Sequence, residues 1–178
     1  MKNLFLFTFI SILALSPKAF SEGPKADTFK LGAVVGNVGL TGDPGEDSNN
    51  SSKNAIGVGG VFGYSIEDEL SFELMYMQSS HDKLDHKDFN LGVQYYVNSY
   101  EPFYYGITGG VAFVTNEVGT IDDTAFGLFI GAGADVFTKR ALIIGLQARY
   151  YSMFGSEVNG VEIVDDYYTV LARILFQF

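Results

Sequence analysis

The sequence predicts an all-β fold: an eight-stranded antiparallel up-and-down β-barrel that crosses a membrane with its strands. Three observations predict it. Glycine, tyrosine and phenylalanine number 21, 11 and 16 of 178 residues, with no tryptophan, a composition of turn and strand formers rather than helix formers. Eight stretches alternate apolar and polar side chains with period 2, each long enough, at about 9 to 11 residues, to cross a bilayer as a tilted strand. Short and long connections alternate between them, which puts turns at one rim and loops at the other.

The first residues read as an address. Met1-Lys2-Asn3 is a positive start, Leu4 to Leu15 an apolar run too short to span a membrane, and Ala19-Phe20-Ser21 a small-x-small cleavage site. Residues 1–21 are therefore expected to be a cleaved secretory signal peptide, and residues 22–178 the barrel.

The strands follow in order. The first, 28–40, turns Lys30 and Gly32 inward, and the second, 54–66, turns Gly57, Gly59 and Gly63 inward. In the third, 70–79, Leu70, Phe72, Leu74 and Tyr76 oppose Ser71, Glu73, Met75 and Met77; in the fourth, 88–98, Phe89, Leu91, Val93 and Tyr95 oppose Asn90, Gly92, Gln94 and Tyr96. The fifth, 102–115, points Phe103 and Tyr105 outward and Tyr104 and Gly106 inward. The sixth, 124–137, sets Phe126, Leu128, Ile130, Ala132, Ala134 and Val136 against Gly127, Phe129, Gly131, Gly133 and Asp135. The seventh, 141–154, sets Leu142, Ile144, Leu146, Ala148 and Tyr150 against Gln147, Arg149 and Tyr151; the eighth, 166–178, sets Tyr168, Val170, Ala172, Ile174, Phe176 and Phe178 against Thr169, Arg173 and Gln177. Tight turns fall at 67–69, 99–101 and 138–140, and long polar loops at 41–53, 80–87, 116–123 and 155–165. Within the last loop Val158, Val161, Ile163 and Val164 alternate about Asn159-Gly160, a favoured two-residue hairpin turn.

One face is thus bare and apolar while the other is small, glycine-rich and sparsely charged, the reverse of a soluble sandwich, which exposes a far more charged face. An open sheet in hydrocarbon leaves edge N–H and C=O groups unpaired, so the sheet must close. Eight strands enclose a lumen just wide enough for side chains to fill. Outward aromatics toward the strand ends, among them Tyr64, Tyr76, Tyr95, Phe126, Phe154 and Tyr168, suit the two membrane interfaces.

Charge and composition exclude several functions. A net charge of -10 opposes nucleic-acid binding, and the absence of cysteine excludes disulfides, thiolate metal sites and a Cys nucleophile. The only histidines, His81 and His86, share a loop with Ser79, Ser80, Asp82 and Asp85; residues so close on one loop rarely hold triad geometry, so no catalytic residue is assigned. Asp43, Glu46, Asp47 and the pairs Asp122-Asp123 and Asp165-Asp166 offer oxygen ligands without EF-hand spacing, so neither a metal site nor a cofactor is assigned. The inward charges Lys30, Glu73, Asp135, Arg149 and Arg173 form the candidate site. In a narrow lumen they must pair, because an isolated buried charge is costly. They read either as an ion path or as a structural polar plug, and the narrow lumen favours the plug.

Several segments carry a family resemblance: Phe72-Glu73-Leu74-Met75-Tyr76, the run from Phe126 to Asp135, Leu146-Gln147-Ala148-Arg149-Tyr150 and the closing Leu175-Phe176-Gln177-Phe178. Together with the strand pattern they resemble the OmpA/OmpX-type eight-stranded outer-membrane barrels over residues 28–178. The resemblance implies residence in the outer membrane of a Gram-negative bacterium, contact with outer-membrane lipid, and delivery by periplasmic chaperones to the assembly machinery. Ile174, Phe176 and Phe178 match the terminal signal which that machinery reads. No peptidoglycan-binding domain is expected to follow the barrel, so wall anchoring is not carried over from the resemblance. The expected function is a monomeric structural barrel with a plugged lumen and loops offered to an extracellular partner, in adhesion or envelope integrity. The alternatives are a narrow channel for ions or small solutes and, disfavoured by the lack of any histidine beyond residue 86, a lipid-modifying enzyme.

Overall fold

The computed structural model describes residues 23–41, 53–82, 84–100, 102–118, 121–138, 141–154, 157–158, 161–162 and 166–178. The expected signal peptide, the segment 42–52 and most of 155–165 lie outside the described residues. Ten strands are formed: β1 (Thr28–Leu40), β2 (Asn54–Ser65), β3 (Leu70–His81), β4 (Leu84–Tyr100), β5 (Phe103–Val118), β6 (Ile121–Phe137), β7 (Leu142–Phe154), β8 (Glu157–Val158), β9 (Val161–Glu162) and β10 (Asp166–Gln177). Eight of them close into one antiparallel barrel in the order β1-β10-β7-β6-β5-β4-β3-β2, and β8 pairs antiparallel with β9 as a separate two-stranded sheet.

Closure is made by the first and last strands. β1 and β10 pair from Lys30 opposite Gln177 to Leu40 opposite Tyr167. Phe29 and Phe178 exchange both backbone hydrogen bonds at 2.9 Å, so the ladder runs to the last residue.

Two expected loops are largely strand. β3 and β4 run through most of 80–87 and leave only residues 82–83 between them, with Asp82 in the left-handed region at φ 56. β5 and β6 likewise continue through most of 116–123, leaving 119–120. β4, β5 and β6 are consequently 17, 16 and 17 residues long, against 13, 12 and 12 for β1, β2 and β3. The physical reason is that these hairpins project past the apolar band, where the outward face no longer needs to be apolar. Outward Lys87 and Glu117 form an ion pair there, and outward Ser80 donates to Asp85. The Glu117 carboxylate, bonded to the exposed Lys87 ammonium, holds its pKa above the ordinary lysine value.

Below that rim the outward face is apolar and banded by aromatic rings. At the loop end Phe89, Phe113, Phe126 and Phe154 stand opposite one another on successive strands, with ring centroids 6.5, 5.3 and 6.4 Å apart. At the turn end Phe29 contacts Phe62, Tyr64 and Phe178 at 5.9, 5.0 and 6.2 Å. Between the belts lie exposed Leu31, Val35, Leu91, Ile130, Leu146 and Ile174. The inward face forms the core, an apolar set including Val61, Met75, Met77, Phe129, Tyr151 and Leu171, interrupted by a layer of buried charge.

Candidate functional site: a charge network across the lumen

Period 2 fixes which side chains enter the lumen, and strand register fixes their height. Arg173 on β10 and Asp135 on β6 both lie opposite Gly145 of the intervening β7, so the two meet across a residue without a side chain. A Cβ at Gly145 would lie 1.9 Å from Asp135 Oδ1 and 3.1 Å from Arg173 Cγ. The glycine is what makes the contact possible.

Arg173 is the hub. Its Nε donates to Asp135 Oδ1 at 2.9 Å and its Nη2 to Asp135 Oδ2, a two-pronged pair. Nη2 also donates to Gln94 Oε1 at 2.7 Å, and Nη1 reaches across the lumen to Glu73 on β3, 2.9 Å from Oε1 and 3.2 Å from Oε2. Arg149 binds the same carboxylate through Nη2 at 3.1 Å, gives Nε to Gln147 at 2.9 Å, and lies 4.9 Å over the Phe129 ring. Asp135 additionally accepts from Tyr96 OH at 2.5 Å and Gln94 Nε2 at 3.1 Å. Lys30 Nζ donates to Ser71 Oγ at 3.2 Å and sits 5.4 Å from the Tyr96 ring centre. All five charged side chains are buried, between 1% and 3% exposed, so the whole layer is dehydrated.

The structure therefore brings the five predicted lumenal residues into one layer, in which Arg173 binds both Asp135 and Glu73 and Arg149 binds Glu73. Asp135 and Arg149 lie on neighbouring strands but at different heights. In the ladder Arg149 stands opposite Gly131, four residues along β6, and Asp135 takes Arg173 instead. Tyr96, Gln94 and Ser71 complete the layer. The inward glycines, which as a pattern leave room for water, are filled by neighbours: a Cβ at Gly92 would meet Phe129 Cζ at 2.5 Å.

A second polar group was read only in part from the sequence, which placed Asn90, Tyr151 and Thr169 inward but not His81, His86, Asp88 or Asn116. Toward the loop end His81, His86, Asp88, Asn90, Asn116, Tyr151, Tyr167 and Thr169 are all inward and at most 1% exposed. His86 Nδ1 lies 2.8 Å from Asn116 Oδ1, its ring meets Tyr167 edge to face at 4.8 Å, and Tyr167 stacks on Tyr151 at 4.1 Å. Ser79 Oγ and His81 Nε2 are 3.1 Å apart, yet both side chains are closed off from solvent, while Asp85 lies on the outward face. Asp88 was legible in principle, since it shares parity with Asn90, Gly92 and Gln94. Among the described residues no group of three or more His, Cys, Asp or Glu side chains is arranged to hold a metal ion. The expected terminal signal residues Ile174, Phe176 and Phe178 face outward, 52%, 57% and 67% exposed.

Comparison with known proteins agrees with this architecture. A family model described as the outer membrane protein beta-barrel domain matches residues 5–173. No curated protein matches the sequence. Among solved structures, Neisserial surface protein A superposes with a TM-score of 0.60 at 17% identity, covering 88% of this chain and 100% of that one. The N-terminal barrel domain of Pseudomonas aeruginosa OprF gives 0.59 at 16% identity, covering 86% and 98%, and the outer membrane protein OprG of the same organism 0.59 at 17%, covering 88% and 98%. At these identities the likeness is one of fold.

Proposed function

The chain belongs to the outer membrane protein β-barrel domain family, and from that premise we propose that it serves as a sealed structural barrel whose loop-end rim meets partners outside the cell, in adhesion or envelope integrity. Its place is the outer membrane of a Gram-negative bacterium, with the apolar band against lipid. The observation that carries the sealed reading is Arg173, which spans the lumen between Asp135 and Glu73 with nearly every donor satisfied. Ions crossing this layer would have to separate dehydrated charge pairs. The projecting β3–β4 and β5–β6 hairpins supply a stiff surface outside the membrane for a partner to meet.

Catalysis finds no support in the placement of Ser79 and His81, which are shut from solvent. Insertion is proposed to run through periplasmic chaperones and the outer-membrane assembly machinery, with Ile174, Phe176 and Phe178 as the outward signal. A second reading, the narrow channel, is favoured by one observation: in the loop half of the lumen His86 Nε2 and Asn116 Nδ2 are buried without a protein partner among the described residues.

Planar-bilayer recording of the purified barrel separates the two. The wild type is expected to stay at baseline, and Arg173→Ala to open discrete steps. Regular conductance steps from the wild type would reverse the order of the readings.

A further inference from the structure

The turn rim holds a cavity that the lumenal network does not use. Residues 23–27 lie across that rim as a strap: Asp27 N donates to Ser65 O at 2.8 Å and Ala26 N to Asp68 Oδ1 at 2.8 Å, and a Cβ at Gly23 would fall 2.4 Å from the hydroxyl oxygen of Tyr104 on β5. In the closed strand order β5 stands opposite β1, so the strap crosses the mouth. Between the strap, the β2–β3 turn and β4 lies a cavity of about 510 Å³. β4 is bulged there, its register against β5 shifting between Tyr96 and Asn98, and such a bulge at a rim re-aims the side chains beside it.

The lining and the place of this cavity point to one kind of ligand. Asp68 and Glu69 bring carboxylates to it, and Tyr95, Tyr96 and Tyr104 bring rings. Among the described residues nothing pairs with the Glu69 carboxylate, and Asp68 commits only Oδ1, to the strap. Carboxylates beside tyrosine rings suit a cation, by Coulomb attraction and by the quadrupole of the ring. A primary ammonium, with three donors, also hydrogen-bonds the free carboxylate oxygens, which a quaternary one cannot. The lining includes the lipid-facing wall, since Tyr95 and Val97 point outward, 46% and 56% exposed. Tyr95 stands one outward step beyond Val93, which the ladder sets level with Phe72 and Tyr64 of the turn-end belt. That is the height of lipid headgroups.

We propose that the cavity holds the headgroup of an ethanolamine phospholipid: the ammonium lies against Glu69 and Asp68 among the tyrosines, the phosphate stays at the water-facing rim, and the acyl chains run down the outward wall of β4 and β5. In the cell the assignment rests on the reading of the turn rim as the periplasmic side. The bound lipid fastens the strap over the mouth, while Asp68 and Glu69, with Glu67 in the same turn, turn anionic headgroups away.

The test titrates the folded barrel, with carbon-13 in its tyrosine rings and held in a nonionic detergent, with dihexanoyl phosphatidylethanolamine, phosphatidylcholine or phosphatidylglycerol. The Tyr95 and Tyr104 resonances are expected to shift saturably with the ethanolamine lipid, about tenfold more weakly with the choline lipid, and not with the glycerol lipid. Glu69→Gln should weaken binding of the ethanolamine lipid about tenfold, as for one lost charge-assisted contact, whereas Glu67→Gln, outside the cavity, should leave it unchanged. Both side chains are exposed, so neither variant endangers folding. Equal affinity for the three lipids would overturn the proposal, and so would an equal loss in the two variants, which would show diffuse rim charge. Soluble glycerophosphoethanolamine is expected to bind at least about tenfold more weakly than the lipid, because it lacks chains to lay on the apolar wall. Equal binding would overturn the lipid assignment and leave a site for a free amine. A micelle has no sides, so these outcomes do not depend on which way the barrel faces in the cell, which cysteine labelling decides separately.

Discussion

Arg173 shows how much one residue settles in a narrow lumen. Its guanidinium replaces water for two carboxylates and an amide at once, so truncating it strands Asp135 and Glu73 without compensation. Breaking one partner of such a buried pair costs about 3–5 kcal/mol, whereas removing both costs less than the sum. Arg173→Met and Asp135→Asn should each lower the unfolding midpoint in detergent, and the double variant should recover part of the loss, a coupling of at least ~1 kcal/mol in a double-mutant cycle. Asp135→Asn with Arg149→Met should come closer to additive, because Arg149 binds Glu73 and not Asp135. Strict additivity in the first cycle would mean that the charges are solvated separately. At this scale parity was legible and partnership was not. Alternation says that Asp135, Arg149 and Arg173 all enter the lumen, but their heights depend on register, which the sequence leaves open between strands of unequal length. Asp88 was overlooked for a related reason: it opened the apolar pattern of its strand and so looked like the strand's edge.

Elements were legible where lipid enforces a pattern and illegible where it does not. Within the apolar band each outward position must be hydrophobic, and the strand centres follow from that. Above the band Ser80, Asp85, Lys87 and Glu117 face water while Ser79, His81, His86 and Asn116 face the lumen, so both faces are polar and the period-2 signal vanishes although the ladder continues. The backbone amides of 84–88 and 114–118 are therefore expected to exchange with solvent deuterium far more slowly than free loop amides. Exchange at the intrinsic rate would mean that these hairpins are frayed. The β6–β7 turn makes its own prediction. Ala141 holds φ 61, where its Cβ crowds the carbonyl, in a turn closed by Thr138 N to Leu142 O at 2.8 Å and Leu142 N to Thr138 Oγ1 at 3.2 Å. Ala141→Gly should raise stability by about 1 kcal/mol, and Ala141→Val should lower it. A lower midpoint for the glycine variant would show that the left-handed conformation is not the one adopted.

The whole molecule is a ring, and a ring has an orientation and a way in. The loop rim is expected to face outward from the cell. Single cysteines placed at 43–52 and 156–164 should then react with a membrane-impermeant reagent on whole cells, and those at 67–69 and 139 should not. The reverse pattern would invert the barrel. Deleting Phe178, or replacing it with a charged residue, should cut the yield of heat-modifiable barrel in the outer membrane. Unchanged yields would remove the terminal aromatic from the proposed assembly signal. The ring itself was readable from composition, alternation and connection lengths together, none of which suffices alone.

The seam between β1 and β10 also governs time. It joins residues separated by nearly the whole chain, Lys30 to Gln177, and its last rungs are Phe29 and Phe178 themselves. Contacts of such long sequence separation are slow to form, because the loop they close must be ordered before any hydrogen bond rewards it. Until β10 has been added no chain can complete the ring, and a chain that lacks β10 presents two raw strand edges to hydrocarbon. Closure is thus confined to chains that carry both seam strands, and the topology acts as a check on their presence before the barrel can rest in lipid.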